Sequence, residues 1–101
     1  MSVFPIDQGV YEYLHRQDAK LLDVRTPAEY MLGHIPGSVN LPLHNLDEIE
    51  YLIDNKERPL YLYCQSGARS QQAAMQLADM GYRNVYNIGG IAAYSGKVNR
   101  I

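Results

Sequence analysis

The sequence has a single cysteine, no long run of apolar residues and no excess of positive charge. One cysteine cannot form an internal disulfide, so the fold depends on core burial and redox chemistry requires an outside partner. Residues 1–8 contain no basic segment followed by an apolar core, and no stretch approaches the roughly 18 apolar residues of a membrane helix. A net charge of -2 excludes the broad basic field of a nucleic-acid-binding protein. We therefore expect a cytoplasmic protein with neither a membrane nor a nucleic-acid partner.

Length and composition describe one compact domain spanning residues 1–101. The chain is 47% hydrophobic and 20% charged, which is ordinary for a globular domain of this size. Short apolar runs, interpreted as buried strands, alternate with segments of helical periodicity. The predicted strands cover residues 21–24, 38–41, 60–63 and 84–88, and the longer predicted helices cover residues 43–55 and 69–80. This alternation predicts an α/β fold with a small parallel sheet and helices on both faces.

Cys64 lies where an apolar strand pattern meets a short polar loop and then a helical pattern. In that loop Gly67 can adopt a backbone conformation closed to other residues, and Ser66 and Ser70 supply hydroxyl groups. Arg69 adds a permanent positive charge. Backbone N–H groups of such a loop and of the following helix favour a thiolate over a thiol. A lone cysteine is commonly a small buried hydrophobic residue, but this setting favours a nucleophile.

A second polar group ends the strand predicted at residues 21–24. Ligands of parallel α/β sheets bind beyond the carboxyl ends of the strands, and both Asp23 and Arg25 lie at such an end. We expect this pair to brace the strand end behind the site, since opposite charges there usually satisfy backbone and loop groups. Thr26 and Glu29 have the spacing of a capping box and predict a helix start.

The histidines do not predict a catalytic or metal-binding site. His34 lies in a Gly-His-Ile-Pro-Gly turn, where we expect a hydrogen-bonded structural role. His15, His44 and Cys64 lack the spacing of metal ligands, so we expect no metal.

Three separated motifs resemble those of the rhodanese family. Residues 22–30 (LDVRTPAEY) and residues 33–42 (GHIPGSVNLP) together resemble its amino-terminal signature. Residues 64–70 (CQSGARS) resemble its active-site loop, and residues 89–91 (GGI) resemble a Gly-Gly segment near its end. The family often has a tryptophan shortly after that segment, where this chain has Tyr94. We expect that departure to affect packing more than chemistry.

The resemblance implies a thiosulfate sulfurtransferase with no metal or organic cofactor. Cys64 takes a sulfane sulfur from a donor such as thiosulfate, forming a persulfide, and a nucleophile such as cyanide or a thiol removes it. A protein thiol is another possible acceptor. Arg69 is expected to attract the anionic donor. The residues implied to bind the substrate are Gln65, Ser66, Gly67, Ala68, Arg69 and Ser70.

Two other functions remain open. Cysteine-dependent phosphatases place five residues between cysteine and arginine, whereas only Gln65, Ser66, Gly67 and Ala68 separate Cys64 from Arg69. A shorter loop makes a smaller cradle, suited to one sulfur rather than to a phosphate. The other alternative is a persulfide carrier or interaction module that serves one protein partner, because such a carrier would have the same loop.

Overall fold

The computed structural model describes residues 2–101, which form a parallel sheet with helices on both faces. In chain order the elements are β1 (Ser2–Val3), α1 (Ile6–Leu14), β2 (Lys20–Asp23), α2 (Pro27–Leu32), β3 (Val39–Asn40), a 3-10 segment (Leu43–Glu48), α3 (Ile49–Leu52), β4 (Leu60–Cys64), α4 (Ala68–Asp79), β5 (Val85–Gly90) and a 3-10 turn (Ile91–Ala93). The five strands are ordered β1-β5-β4-β2-β3, and every pairing is parallel. The predicted fold class is confirmed.

β4 is the central strand, and its side chains alternate between two apolar layers. Leu60, Leu62 and Cys64 belong to the layer that also contains the small-residue face of α4. Tyr61 and Tyr63 belong to the opposite layer, which is shared with α1. All five residues are buried because both faces of the strand are covered. This alternation directs the sulfur of Cys64 to the side of the sheet from which α4 begins.

The N-terminus of α2 forms the capping box that its sequence predicts. The hydroxyl of Thr26 accepts the N–H of Glu29 at 3.2 Å, and a carboxylate oxygen of Glu29 accepts the N–H of Thr26 at 2.9 Å. These two bonds satisfy donors that the start of a helix leaves without partners. They also hold the Glu29 side chain beside the first turn.

The prediction of a single helix over residues 43–55 is wrong. The segment forms a 3-10 helix followed by one turn of α-helix, and Asn45 within it has non-helical angles (φ -112°, ψ 18°). The helix ends at Leu52 because Ile53 takes an extended backbone and turns its side chain into the core. Core packing of Leu46, Ile49 and Ile53 thus overrides a continuous helix.

Strand β1 was not predicted from the sequence. It is only two residues long and pairs with β5 at the edge of the sheet. A strand this short carries no alternation of apolar and polar residues, so no pattern could reveal it. Within residues 2–101, no helix has the length and apolar character that crossing a membrane requires.

We predict that Gly9→Ala destabilises the protein by about 1–2 kcal/mol, although alanine favours helices over glycine by about 1 kcal/mol. The reason is that a methyl group on residue 9, within α1, would overlap the side chain of Ile88 in β5. Urea denaturation measures the free energy of unfolding, and Gln8→Ala on the exposed side of α1 is the control. A more stable Gly9→Ala protein would contradict this packing.

Candidate active site

The sulfur of Cys64 lies at the carboxyl end of the central strand. The register between β4 and β5 shifts between Leu62 and Cys64, so that Cys64 pairs with Gly90. A Cβ atom on Gly90 would lie 2.6 Å from the Cα of Ser66 and still closer to the carbonyl of Gln65. Only glycine therefore allows the end of β5 to approach the loop that follows Cys64.

The loop turns polar groups toward the sulfur. The N–H of Gly67 donates to the Cys64 Sγ at 2.9 Å, and the hydroxyl of Ser70 lies 3.5 Å from it. Gly67 has a φ of +107° and immediately precedes α4, so its conformation turns the chain from strand to helix. The chain thus brings a loop N–H and a first-turn hydroxyl to one atom.

Burial and hydrogen bonding act in opposite directions on the thiol. Burial raises the pKa of Cys64, while the hydroxyl and N–H of Ser70 and the N–H groups of Gly67 and Ser66 lower it. The donors prevail, and the pKa lies below its ordinary value. Cys64 is 1% exposed, as a packing cysteine also would be, but such a residue has no need of these donors. The contacts therefore mark Cys64 as a thiol whose anion is stabilised.

A buried amide supports Ser70 from β5. The Oδ1 of Asn87 accepts the Ser70 hydroxyl at 2.7 Å and the N–H of Gly89 at 3.0 Å. Its Nδ2 donates to the side chain of Gln71 at 3.2 Å. Because a hydroxyl has one proton, Ser70 can donate fully to only one of its three neighbouring acceptors, which are Asn87 Oδ1, the carbonyl of Gly67 at 3.1 Å and the sulfur of Cys64.

Arg69 forms a two-point ion pair with Glu29. The distances from Nη1 to Oε1 and from Nη2 to Oε2 are 2.6 Å and 2.9 Å. The Arg69 guanidinium lowers the pKa of Glu29 to about 2, more than burial raises it. The positive charge expected to attract a substrate is therefore already paired with a carboxylate from α2.

Asp23 and Arg25 form the brace that the sequence predicts. The Nη2 of Arg25 donates to Oδ2 of Asp23 at 2.6 Å and to the carbonyl of Gly33 at 2.7 Å. Both side chains are buried, and the Arg25 guanidinium lies over the ring of Tyr63, 5.6 Å from its centre. The amide of Asn40 donates to both backbone carbonyls of the pair at 3.0 Å. These contacts tie β2 to β3 and to the end of α2.

Two cavities adjoin the ion pair. The first has a volume of about 220 Å³, and its lining includes Thr26, His44 and Arg69. The second has a volume of about 260 Å³, and its lining includes Glu29 and the loop residue Gln65. Each cavity thus contains one member of the Arg69–Glu29 pair.

Comparison with known proteins identifies the family to which this fold belongs. The family model of the rhodanese-like domain matches residues 8–97 of the sequence. The chain belongs to the rhodanese family. A sulfurtransferase of Allochromatium vinosum is 45% identical over 80 residues, which cover 78% of this chain and 74% of the relative. The thiosulfate sulfurtransferase GlpE of Pseudoalteromonas translucida is 36% identical over 95 residues, covering 88% of this chain and 89% of the relative.

A solved structure described as a rhodanese with anions from E. coli is also similar. It superimposes with a TM-score of 0.77 at 31% identity, covering 82% of this chain and 99% of that structure. The predicted resemblance is confirmed, and its sulfurtransferase relatives identify the chain as an enzyme of the rhodanese type that transfers sulfur.

The predicted loop residues take different positions in this rhodanese. Gly67 and Ser70 face the sulfur, and Ser66 contributes its backbone N–H. Gln65 and Ala68 have exposed side chains, and the carbonyl of Gln65 accepts the N–H of Ala92 at 3.3 Å. This hydrogen bond holds the loop to the segment after β5.

His34 has the structural role that its turn predicts. Its Nδ1 lies 2.8 Å from the carbonyl of Tyr30, and the two rings stack with their centres 3.7 Å apart. Tyr94, which stands where the family often has tryptophan, packs against the apolar layer shared with α1. Tyr94 therefore lies in a packing position, which agrees with the expectation that tyrosine in place of tryptophan affects packing more than chemistry.

Sequence reasoning missed two contributors to this site, Asn87 and the ion-pairing role of Glu29. A polar residue inside the apolar run of β5 was the available signal for Asn87. The capping box revealed where Glu29 lies on α2 but not that Arg69, forty positions later, would meet it.

We predict that Ser70→Ala raises the pKa of Cys64, because the variant loses a hydroxyl that lowers it. The pH profile of Cys64 alkylation by iodoacetamide should move to higher pH. Ser66→Ala is the matched control, since this variant keeps the backbone N–H that Ser66 contributes. An unmoved profile in Ser70→Ala would show that the hydroxyl does not donate to the sulfur.

We also predict that the Arg69–Glu29 pair makes stability depend on acid pH. The pKa of Glu29 is about 2 in the folded chain, below its ordinary 4.5, so the unfolded chain binds this proton more readily. The stabilisation is present above about pH 4.5 and is lost as the pH falls toward about 2. The difference in unfolding free energy between wild type and Glu29→Gln should shrink over that range in urea titrations. A difference that is constant with pH would contradict the pairing.

Proposed function

We propose that this rhodanese is a thiosulfate sulfurtransferase that carries the transferred sulfur as a persulfide on Cys64. The observation that carries the proposal is the position of the Cys64 sulfur at the carboxyl end of β4. There it accepts the N–H of Gly67 at 2.9 Å and lies beside the hydroxyl of Ser70. Together these contacts lower the pKa of the thiol against the effect of burial. A thiolate is the form of cysteine that attacks sulfur.

In the proposed first step the Cys64 thiolate attacks the outer sulfur of thiosulfate. The sulfur–sulfur bond of thiosulfate breaks, its electron pair leaves with sulfite, and the negatively charged persulfide remains on the protein. In the second step cyanide or a thiolate attacks the outer persulfide sulfur, and Cys64 leaves as a thiolate. Charge and electrons balance in both displacements, so neither consumes an outside oxidant or reductant.

The remaining residues hold the transferred sulfur and its surroundings. We assign substrate contact to the six loop residues that follow the nucleophile, with the N–H groups and the Ser70 hydroxyl facing the charged sulfur. Asp23 and Arg25 keep the neighbouring strand end in place. The six residues to which we assign substrate contact are Gln65, Ser66, Gly67, Ala68, Arg69 and Ser70. We further propose that residues 1–101 act as a single domain in the cytoplasm.

A persulfide carrier for a protein thiol is the second candidate function. The observation that favours it is Leu32, which is 77% exposed and lines the cavity that also contains Gln65. An exposed apolar side chain beside the loop is a typical contact for a protein surface. Slow transfer to small acceptors and fast transfer to a cell extract would favour the carrier over the enzyme.

We predict that Cys64→Ser loses at least about a thousandfold of the thiocyanate-forming activity with thiosulfate and cyanide, because a hydroxyl does not replace the thiolate. The measurement is thiocyanate formation, together with the intact mass after incubation with thiosulfate. The wild-type chain should gain the mass of one sulfur atom, which a thiol then removes, and the variant should gain none. Circular dichroism of the variant verifies that it is folded.

Equal activity in Cys64→Ser would refute sulfur transfer through Cys64. An unchanged wild-type mass would refute a stable persulfide. Hydrolysis of an aryl phosphate faster than sulfur transfer would instead favour the phosphatase alternative.

A further inference from the structure

The guanidinium of Arg69 is held by a carboxylate that is itself fixed in place. Besides its two contacts with Arg69, the carboxylate of Glu29 accepts the N–H of Thr26 at 2.9 Å. The Thr26 hydroxyl lies 3.2 Å from the same oxygen. Glu29 therefore cannot move away from Arg69 without breaking the cap of α2.

The ion pair borders two cavities next to the loop. Arg69 lines one of the two cavities and Glu29 lines the other, and both side chains are about one-third exposed, at 36% and 32%. A molecule entering either cavity meets one member of an ion pair whose partner of opposite charge is already in contact with it. The attraction that Arg69 alone would exert on an anion is therefore largely offset.

We propose that Glu29 determines the charge selectivity of the site. Its carboxylate offsets the positive charge of Arg69, so that a doubly charged donor is attracted little more strongly than a donor with one negative charge or none. The inference deepens the proposed function and rests on it in one respect, namely that the Cys64 thiolate is the reacting group. It assigns to this chain the use of sulfane-sulfur donors of low charge, such as an alkyl persulfide, about as readily as thiosulfate.

With such a donor the transfer needs no dianion to enter or leave. The thiolate attacks the terminal sulfur of R–S–SH, the donor's sulfur–sulfur bond breaks, and the electron pair leaves on the donor as a thiolate. The proton stays on the transferred sulfur, so one negative charge enters the reaction on Cys64 and one leaves on the product. Thiosulfate instead brings two negative charges and releases sulfite with two.

Alkylation of Cys64 tests the selectivity without requiring sulfur transfer. Iodoacetate carries one negative charge and iodoacetamide none, so the ratio of their rates reports the electrostatic potential at the sulfur, while changes in thiol pKa or access largely cancel. Because Cys64 is the single cysteine, the gain in intact mass reports this site alone. The variants are Glu29→Gln, Arg69→Gln and the double variant, with Glu57→Gln of the exposed Glu57–Arg83 pair as control.

We expect Glu29→Gln to raise the iodoacetate-to-iodoacetamide ratio about threefold, the factor for one unit charge acting through water at about 6 Å. Arg69→Gln should lower the ratio by a similar factor, because it leaves Glu29 without its partner. The double variant should lie within about twofold of wild type, since it removes one charge of each sign. Glu57→Gln should leave the ratio unchanged.

The same variants assayed with thiosulfate should show a larger effect. For a dianion the expected gain in kcat/KM for Glu29→Gln is about tenfold, and it should diminish at high salt. A wild-type chain that transfers no sulfur would refute the proposed function while leaving the alkylation result to stand by itself.

Two results would overturn the selectivity inference. In the first, Glu29→Gln lowers the alkylation ratio and the double variant falls with Arg69→Gln, which would mean that Arg69 binds anions directly and needs Glu29 to hold it. In the second, neither reagent modifies Cys64 in any variant, which would mean that the cavities beside the pair do not lead to the sulfur.

Discussion

The close approach of β5 to the Cys64 loop is the constraint on which the site depends. Because Gly90 has no side chain, the end of β5 packs directly against the backbone of Gln65 and Ser66. The loop is then held between β4 and β5, and Gly67 can turn the chain into α4 with its N–H directed at the sulfur. Without that approach, the donors would not converge on one atom.

Charge at the site is balanced almost everywhere except on the sulfur. Asp23 and Arg25 neutralise each other below the surface, and Glu29 and Arg69 do so at the mouth of the site. The thiolate is therefore favoured by hydrogen bonds from backbone N–H groups and one hydroxyl rather than by an unpaired cation nearby. In the proposed reaction, dipoles fixed by the backbone need no rearrangement when charge moves onto a transferred sulfur.

Local rules predicted the parts of the fold that local interactions determine. The capping box at Thr26, the buried runs of β2 and β4, and the turn to α4 all appear close to their predicted positions. The predicted helix over residues 43–55 failed because tertiary packing of Leu46 and Ile53 mattered more than helical periodicity. Strand β1 was missed because two residues carry no periodic pattern.

The sequence by itself determined that a cysteine would stand at the end of a buried strand, before a glycine-containing loop and a helix, since these features follow from neighbouring residues. Only the tertiary structure decided which groups meet there. Asn87 reaches Ser70 across seventeen positions, and Glu29 reaches Arg69 across forty. Such contacts depend on strand order and on the register shift beside Gly90, which no local pattern encodes. The sequence therefore singled out Cys64 as the proposed nucleophile, while the hydrogen-bond donors around its sulfur and the pairing of the neighbouring charge came from the fold.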